Sequence, residues 1–175
     1  MVVDIKKRAA LYAGVAALAG LTGAGVAWQR HSVSSMSSQA MDLLWSSEFE
    51  SPAGDMIRLR DLQGRPLVLN FWATWCPPCV EEMPLIDAFY QKNKSNGWQV
   101  LGLAIDQPSR VKHFLTQAEI TYPVGLAGLT GTELGKQLGN DQGGLPFTVV
   151  LNAQGDLKQR KLGKLSVKDI ENWLL

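Results

Sequence analysis

The feature that most constrains the fold is a cysteine pair, Cys76 and Cys79, which stands between an apolar run and a helical one. The preceding residues 66–73, PLVLNFWA, are typical of a buried strand, and the residues from Pro77 onward are typical of a helix. This order places Cys76 at a helix N-terminus, where free N–H groups and the macrodipole favour the thiolate. Because the thiolate is the form that attacks disulfides, the pattern indicates redox chemistry.

Composition excludes several other uses of the two thiols. The chain has 175 residues, room for one domain plus an appendage, and a net charge of +1, which gives no reason to expect a nucleic-acid partner. Two cysteines cannot build a disulfide scaffold. A zinc site with four protein ligands would need more ligands, and the only histidines, His31 and His113, are far from the pair in sequence. We therefore expect no metal site.

The N-terminal segment 1–28 is predicted to be a signal anchor. A basic stretch at 6–8 precedes nineteen uncharged, mostly apolar residues, 9–27, and Trp28 ends the run. At 1.5 Å per residue these nineteen residues can cross about 30 Å of hydrocarbon, and the basic flank should remain in the cytoplasm. The alternative is a cleaved signal peptide, but the apolar stretch is longer than the usual core of such peptides.

The next part of the chain is predicted to be a Ser-rich linker, residues 29–42, followed by a folded domain, residues 43–175. The predicted elements are, in order, a hairpin within 43–62, a strand at 66–72, a helix at 77–95, a strand at 98–105, a helix at 109–118 capped by Ser109, a strand at 121–124, a helix at 132–138, a hairpin at 147–151 and 157–162, and a helix from Ser166. This order predicts an α/β domain with a mixed central sheet and helices on both faces.

Two segments carry a family resemblance. Residues 69–79, LNFWATWCPPC, with EEMP at 81–84, resemble the active-site segment of membrane-anchored thioredoxin-like reductases of the TlpA/ResA type. Residues 143–148, GGLPFT, are similar to the cis-proline segment of that family. The resemblance implies a thioredoxin-like fold and thiol–disulfide exchange, usually in the reducing direction, with no cofactor beyond a redox-active disulfide of Cys76 and Cys79.

The resemblance also implies a location and partners. The catalytic domain would lie in the periplasm, held at the bacterial inner membrane by the N-terminal helix. Its substrates would be disulfide-containing periplasmic proteins, in cytochrome c maturation, copper-site assembly or general reduction. Its electrons would come from a membrane thiol-reductant conduit of the DsbD/CcdA type.

The two cysteines receive distinct roles. Cys76, at the helix start, is the proposed nucleophile, and Cys79, one turn inside, is the proposed resolving thiol. Pro77 and Pro78 remove two N–H groups near the sulfurs, which should raise the thiolate pKa and make the disulfide less oxidising. A static disulfide is a weaker interpretation, because so short a closed loop would stabilise the fold little.

Glu82 is the candidate acid–base residue. It lies three residues after Cys79, on the same side of the predicted helix, and the resemblance supports this role. The alternative is a solvated acid, which is the interpretation we give Glu81. Asn70 stands where thioredoxins carry a buried Asp, so a second acid is needed in its place.

The remaining candidates face the substrate. The resemblance makes Pro146 a cis-proline and lets the backbone of Leu145 pair with an extended substrate strand. We assign Trp75, Pro77 and Pro78 to the same substrate-facing surface, whereas Trp72 is expected to lie in the core.

Three other functions remain open. A disulfide oxidase or isomerase of the same fold would differ only in redox potential. A peroxidase of the related peroxiredoxin class would carry T-x-x-C, whereas Thr74 and Cys76 give T-x-C. A thiol-based metal chaperone would have to use the reduced pair alone, since no His is close in sequence.

Overall fold

The structure is a computed structural model that describes residues 37–174. The predicted anchor, residues 1–28, and most of the predicted linker lie outside the described residues. Within 37–174, no helix has both the length and the apolar character needed to cross a membrane.

A seven-stranded mixed sheet forms the centre of the domain, in the order β2-β1-β5-β4-β3-β6-β7. The strands are β1 Glu48–Glu50, β2 Met56–Arg58, β3 Leu67–Trp72, β4 Gln99–Ala104, β5 Val124–Leu126, β6 Phe147–Leu151 and β7 Leu157–Leu162. Strands β3, β4 and β5 are parallel, and the other pairs are antiparallel. The predicted α/β fold with a mixed sheet is confirmed.

Five α-helices accompany the sheet in the described residues. They are α1 Ser38–Ser46, α2 Pro77–Asn93, α3 Pro108–Leu115, α4 Gly128–Gln137 and α5 Val167–Glu171, with short 3-10 turns at Leu59–Leu62, Lys94–Asn96 and Asn172–Leu174. Helices α2, α3 and α5 contribute buried side chains to one hydrophobic cluster, and α1 and α4 contribute to a second.

Strand β3 separates these two clusters. All six of its residues are buried, and successive side chains point to opposite faces of the sheet. Val68 and Trp72 belong to the cluster under α2, while Leu69 and Phe71 belong to the cluster under α4. By the same alternation, Asn70 faces α2, and it is the polar member of that row. The helices therefore cover both faces, as predicted.

The predicted linker ends earlier than residue 43. Residues 38–42 form the first half of α1, and Ala40 and Leu44 in this helix are buried. Ser37, taken as part of a flexible Ser-rich stretch, is the N-cap, and its side chain accepts a hydrogen bond from the N–H of Ala40 at 3.1 Å. The four-residue spacing of Ala40 and Leu44, which places both on one helix face, is the sequence feature that indicates this helix despite the high serine content.

Several element boundaries in the middle of the chain also differ from the prediction, and α4 begins at Gly128 rather than residue 132. Helix α3 begins at Pro108, so Gln107 occupies the N-cap position and the prediction for Ser109 was wrong. Strand β5 begins at Val124 rather than residue 121, after Pro123, which has no N–H to give to a strand ladder. The later hairpin has the predicted bounds, and Ser166 caps α5 in a capping box with Asp169.

Candidate active site

A disulfide at the start of α2 is the centre of the candidate site. Cys76 and Cys79 are joined, with their Cα atoms 5.3 Å apart. Cys76 is the N-cap of α2, and its carbonyl accepts hydrogen bonds from the N–H groups of Cys79 and Val80 at 3.0 and 3.2 Å. Cys76 is 4% exposed and Cys79 is fully buried, so Cys76 is the cysteine that solvent and a substrate can approach.

The loop before the disulfide is anchored by Asp106, which follows β4. Its Oδ2 accepts hydrogen bonds from the N–H and the hydroxyl of Thr74, at 3.0 and 2.5 Å, and its Oδ1 accepts one from the N–H of Gln107 at 2.7 Å. Burial acts to raise the pKa of Asp106, but the bonds from Thr74 and Gln107 and the charge of Arg110 outweigh it, and the net pKa is lowered. Asp106 therefore remains a carboxylate that fixes the loop carrying Cys76.

Glu82 lies inside the domain rather than in solvent. Only 1% of it is exposed, and both carboxylate oxygens accept hydrogen bonds: Oε1 from Asn70 Nδ2 at 2.8 Å and Oε2 from the N–H of Leu165 at 2.6 Å. Asn70 Nδ2 also donates to Thr148 Oγ1 at 3.0 Å. The solvated alternative for Glu82 was wrong. It does describe Glu81, whose carboxylate is exposed and pairs with Lys164.

The environment of Glu82 raises the pKa of its carboxyl group. Burial raises the pKa of Glu82, and this effect exceeds the opposing influence of the two hydrogen bonds and of the charges on Lys161 and Lys164. Since Glu82 follows Cys79 by three residues on α2, the two side chains share one side of the helix. A carboxyl group with a raised pKa at this position can hold a proton and release it beside the cysteine pair.

The loop before β6 contains the predicted cis-proline. The Leu145–Pro146 peptide bond is cis, as expected from the resemblance. Phe147 pairs with Phe71 in the β3–β6 ladder, so Pro146 lies at the end of β3 from which the loop to Cys76 departs. Asn140 secures this loop, because its Nδ2 donates to the carbonyl of Gly144 and its Oδ1 accepts from the N–H of Gly144, at 2.9 and 3.1 Å.

The two tryptophans of the segment differ in burial, as predicted. Trp72 is buried beneath α2, while Trp75 is 60% exposed immediately before Cys76. Within residues 37–174, no group of three or more His, Cys, Asp or Glu side chains is arranged to hold a metal ion.

The sequence profile of the Redoxin family matches residues 47–174. The chain belongs to the Redoxin family. A thiol-disulfide oxidoreductase ResA from Bacillus cereus is 32% identical over 123 residues, covering 69% of this chain and 68% of that protein. A second ResA, from Halalkalibacterium halodurans, is 27% identical over 128 residues, covering 71% of this chain and 69% of that protein. The resemblance to proteins of the TlpA/ResA type is confirmed.

Solved structures agree with this membership. A thiol:disulfide interchange protein of the thioredoxin family from Chlorobium tepidum has a TM-score of 0.66 and 28% identity, covering 74% of this chain and 90% of that one. StoA from Bacillus subtilis, at 23% identity and a TM-score of 0.60, covers 74% of this chain and 96% of its own and supports the fold. With its C-x-x-C disulfide, this Redoxin family member is a thiol-disulfide oxidoreductase.

Sequence reasoning missed the groups that surround the candidate residues. Asp106, Thr148 and the N–H of Leu165 are polar partners contributed by distant parts of the chain. Asp106 directly follows Ile105 at the end of an apolar strand pattern, and an acid in that position was an available signal. Thr148 could be found only once the pairing of β3 with β6, which places it opposite Asn70, was known.

Proposed function

We propose that the protein reduces disulfides of periplasmic proteins, with Cys76 as nucleophile and Cys79 as resolving thiol. The observation that carries the proposal is the buried Glu82 on the same side of α2 as Cys79, with a raised pKa. An acid in that environment suits an enzyme that must take up and return the proton of a resolving thiol near neutral pH.

The reaction begins with the reduced pair. The Cys76 thiolate attacks one sulfur of the substrate disulfide, forms a mixed disulfide and expels the other substrate sulfur as a thiolate. Cys79 then loses its proton and attacks the sulfur of Cys76, which releases the second substrate thiolate and leaves the Cys76–Cys79 disulfide. Two electrons have moved from the protein to the substrate, and two protons complete the substrate thiols.

Glu82 assists the second attack. Cys79 is fully buried, and a buried thiol resists ionisation because its thiolate lacks solvation. A Glu82 carboxylate receives the Cys79 proton, and the raised pKa brings its proton affinity closer to that of the thiol. Asn70 and the N–H of Leu165 hold the carboxylate in place while it does so.

The substrate lies across the disulfide as an extended strand. Leu145 offers its backbone to that strand next to the cis bond, and Trp75, Pro77 and Pro78 form the surface on the Cys76 side. The Pro77–Pro78 spacer leaves two fewer N–H donors for the Cys76 thiolate, which favours a more reducing pair.

Turnover needs a supply of reducing equivalents. We infer a membrane thiol conduit of the DsbD/CcdA type as donor, reached by a domain that residues 1–28 anchor at the inner membrane with the N-terminus in the cytoplasm. The substrates would be periplasmic proteins with reducible disulfides, including those matured for cytochrome c or copper binding. The apolar stretch 9–27 and its basic flank support this location.

The equilibrium reduction potential tests the direction of electron flow. The full-length protein is titrated against defined thiol buffers, and the Cys76–Cys79 disulfide is followed by thiol alkylation. A potential near or below about −270 mV, the thioredoxin scale, supports a reductase. A potential near about −120 mV, the DsbA scale, would make the protein an oxidant and contradict the proposal.

A further inference from the structure

A groove of about 470 Å³ lies beside the disulfide. Three segments build it, a loop and the beginnings of α3 and α4, and each follows the carboxyl end of one of the parallel strands β3, β4 and β5. Its lining includes Trp75 after β3, Asp106, Pro108 and Arg110 after β4, and Gly128 and Leu129 after β5. The carboxyl ends of parallel strands are where α/β proteins place their ligands, because the connecting loops meet there.

Bulky apolar side chains stand exposed along this groove. Leu129 is 89% exposed, the largest exposure among large hydrophobic residues in the part of the chain that the structure describes, and Trp75 is 60% exposed. One exposed apolar residue is ordinary on a protein surface, but two on the same concave site mark a place for a partner. The groove can therefore remove a bulky apolar side chain of a ligand from water.

The charge in the groove that a ligand can pair with directly is positive. Arg110 is exposed and forms no ion pair with any residue between 37 and 174. Asp106 also lines the groove and keeps its negative charge, but it is half-buried and its carboxylate oxygens already accept three hydrogen bonds from Thr74 and Gln107. Helices α3 and α4 both begin at the groove, and neither has a side-chain cap, so their N-terminal dipoles add to the charge of Arg110.

The position of the groove indicates its occupant. Trp75 precedes Cys76 directly, so a polypeptide whose disulfide reaches Cys76 has the residues next to its own cysteine close to the groove. We propose that this groove binds the substrate polypeptide beside its disulfide and selects substrates that carry a bulky apolar residue next to an acidic one. This inference rests on the proposed thiol exchange at Cys76 and adds the sequence class of its substrates.

The test compares peptides that differ only in the proposed features. In each peptide one cysteine carries a thionitrobenzoate group and is flanked on both sides by Leu-Asp, by Leu-Lys or by Ala-Asp. When Cys76 of the reduced full-length protein attacks the peptide sulfur, the S–S bond breaks and coloured thionitrobenzoate leaves with its electron pair. Cys79 then attacks Cys76 and releases the peptide thiol, so one enzyme disulfide and two thiols are formed.

Rates are divided by those of dithiothreitol with the same peptides, which removes the intrinsic reactivity of each. We expect Leu-Asp to react about tenfold faster than Ala-Asp, from burial of the larger side chain. Leu-Asp should react about threefold faster than Leu-Lys at low salt, from the exposed charge pair with Arg110. Added salt should remove the second preference and leave the first.

Matched variants assign the preferences to the groove. Arg110→Glu should reverse the order of the Leu-Asp and Leu-Lys peptides, whereas Lys112→Glu makes the same charge change on α3 outside the lining and should keep the original order. Leu129→Ala should reduce the advantage of Leu over Ala. Met56→Ala, at an exposed apolar residue on the edge strand β2, should leave it unchanged.

The outcomes separate this inference from the proposed function. The proposed selection at the groove is contradicted if every peptide reacts at the same corrected rate, or if Arg110→Glu does not change the order of the peptides. Either result leaves the proposed thiol exchange intact. Self-association that Leu129→Ala abolishes would also contradict the proposed selection, since the groove would then bind a second copy. If neither the peptides nor oxidised glutathione react, thiol exchange has failed and both proposals fail with it.

Discussion

The two sides of the disulfide have opposite environments. On the Cys79 side, Glu82 and Asn70 are buried and fully enclosed by α2, the sheet and the loop before α5. On the Cys76 side, Trp75 and Arg110 are exposed around an open groove. Proton transfer needs an acid–base group that is held in place in surroundings of low polarity, whereas substrate recognition needs an accessible surface. The fold provides both within one helical turn, so changes on the two sides should affect different steps.

The largest expected effect comes from the cysteines themselves. Cys76→Ser should abolish disulfide reduction, because no thiolate remains at the position that a substrate can approach. Cys79→Ser should stop the reaction after the first attack and accumulate the mixed disulfide on Cys76. Non-reducing electrophoresis and mass spectrometry after mixing with a substrate would detect the adduct. A mixed disulfide that forms on Cys79 in the Cys76→Ser variant, at the wild-type rate, would reverse the assigned roles.

Glu82→Gln should have the next largest effect, confined to the buried side. General acid–base groups contribute about 100-fold or more, so resolution of the mixed disulfide should slow by about that factor near neutral pH. Attack by Cys76 on a small disulfide should change much less. Stopped-flow measurement of both steps as a function of pH is the check, and equal slowing of both steps would contradict a role specific to Cys79.

The same variant predicts a change in the pH dependence of stability. Because the pKa of Glu82 is raised on folding above the ordinary 4.5, the folded protein binds this proton more tightly than the unfolded chain. The stability from this group is therefore complete below pH 4.5 and is lost as the pH rises through the folded pKa. Denaturation of the wild-type protein should show this decline, and Glu82→Gln should not.

The structure also shows which parts of this site the sequence can predict. The C-x-x-C pair, Glu82 and the cis-proline segment could be recognised because each signal is local, within a helix or a loop. The β6–β7 hairpin had the predicted bounds for the same reason, since its strands flank the turn 152–155. The distant partners of Asn70 and Glu82 could not be found this way: Thr148 is 78 residues from Asn70, and Leu165 is 83 residues from Glu82.

Residue type alone gave the wrong interpretation at two positions, Ser37 and Asn70. Serines before α1 indicated a linker, yet Ser37 caps a helix whose Leu44 lies in the core. The sequence shows Asn70 only as a residue that lacks the carboxyl group found there in thioredoxins, whereas in the fold its amide donates hydrogen bonds to both Glu82 and Thr148. An amide at this position replaces the thioredoxin carboxyl by a group that orients a carboxyl on the neighbouring helix.

Asn70→Leu tests this orienting role with an apolar side chain that is also branched at Cγ. Removal of the amide leaves Glu82 Oε1 and Thr148 Oγ1 without their buried donor, which should cost about 1–3 kcal/mol of unfolding free energy. Resolution of the mixed disulfide should be slower than in the wild-type protein, as expected for Glu82→Gln, but by a smaller factor. Asn70→Asp is the informative partner variant, because a second carboxyl beside Glu82 should move the pH profile of resolution upward. An unchanged profile in Asn70→Asp would remove Asn70 from the proton-transfer site.

The smallest expected effect is that of an exposed charge, Lys164, on the buried Glu82. Lys164 pairs with Glu81 in solvent, an ion pair worth about 0.5 kcal/mol or less, and its charge also lowers the pKa of Glu82. Lys164→Gln should leave the unfolding free energy nearly unchanged and move the pH profile of resolution slightly upward. Lys168→Gln removes an exposed charge on the adjacent helix α5 that does not act on Glu82, and its profile should match the wild type. If Lys164→Gln and Lys168→Gln give the same pH profile at low salt, the charge of Lys164 does not act on Glu82. The buried side of the disulfide would then be electrostatically separate from the exposed surface.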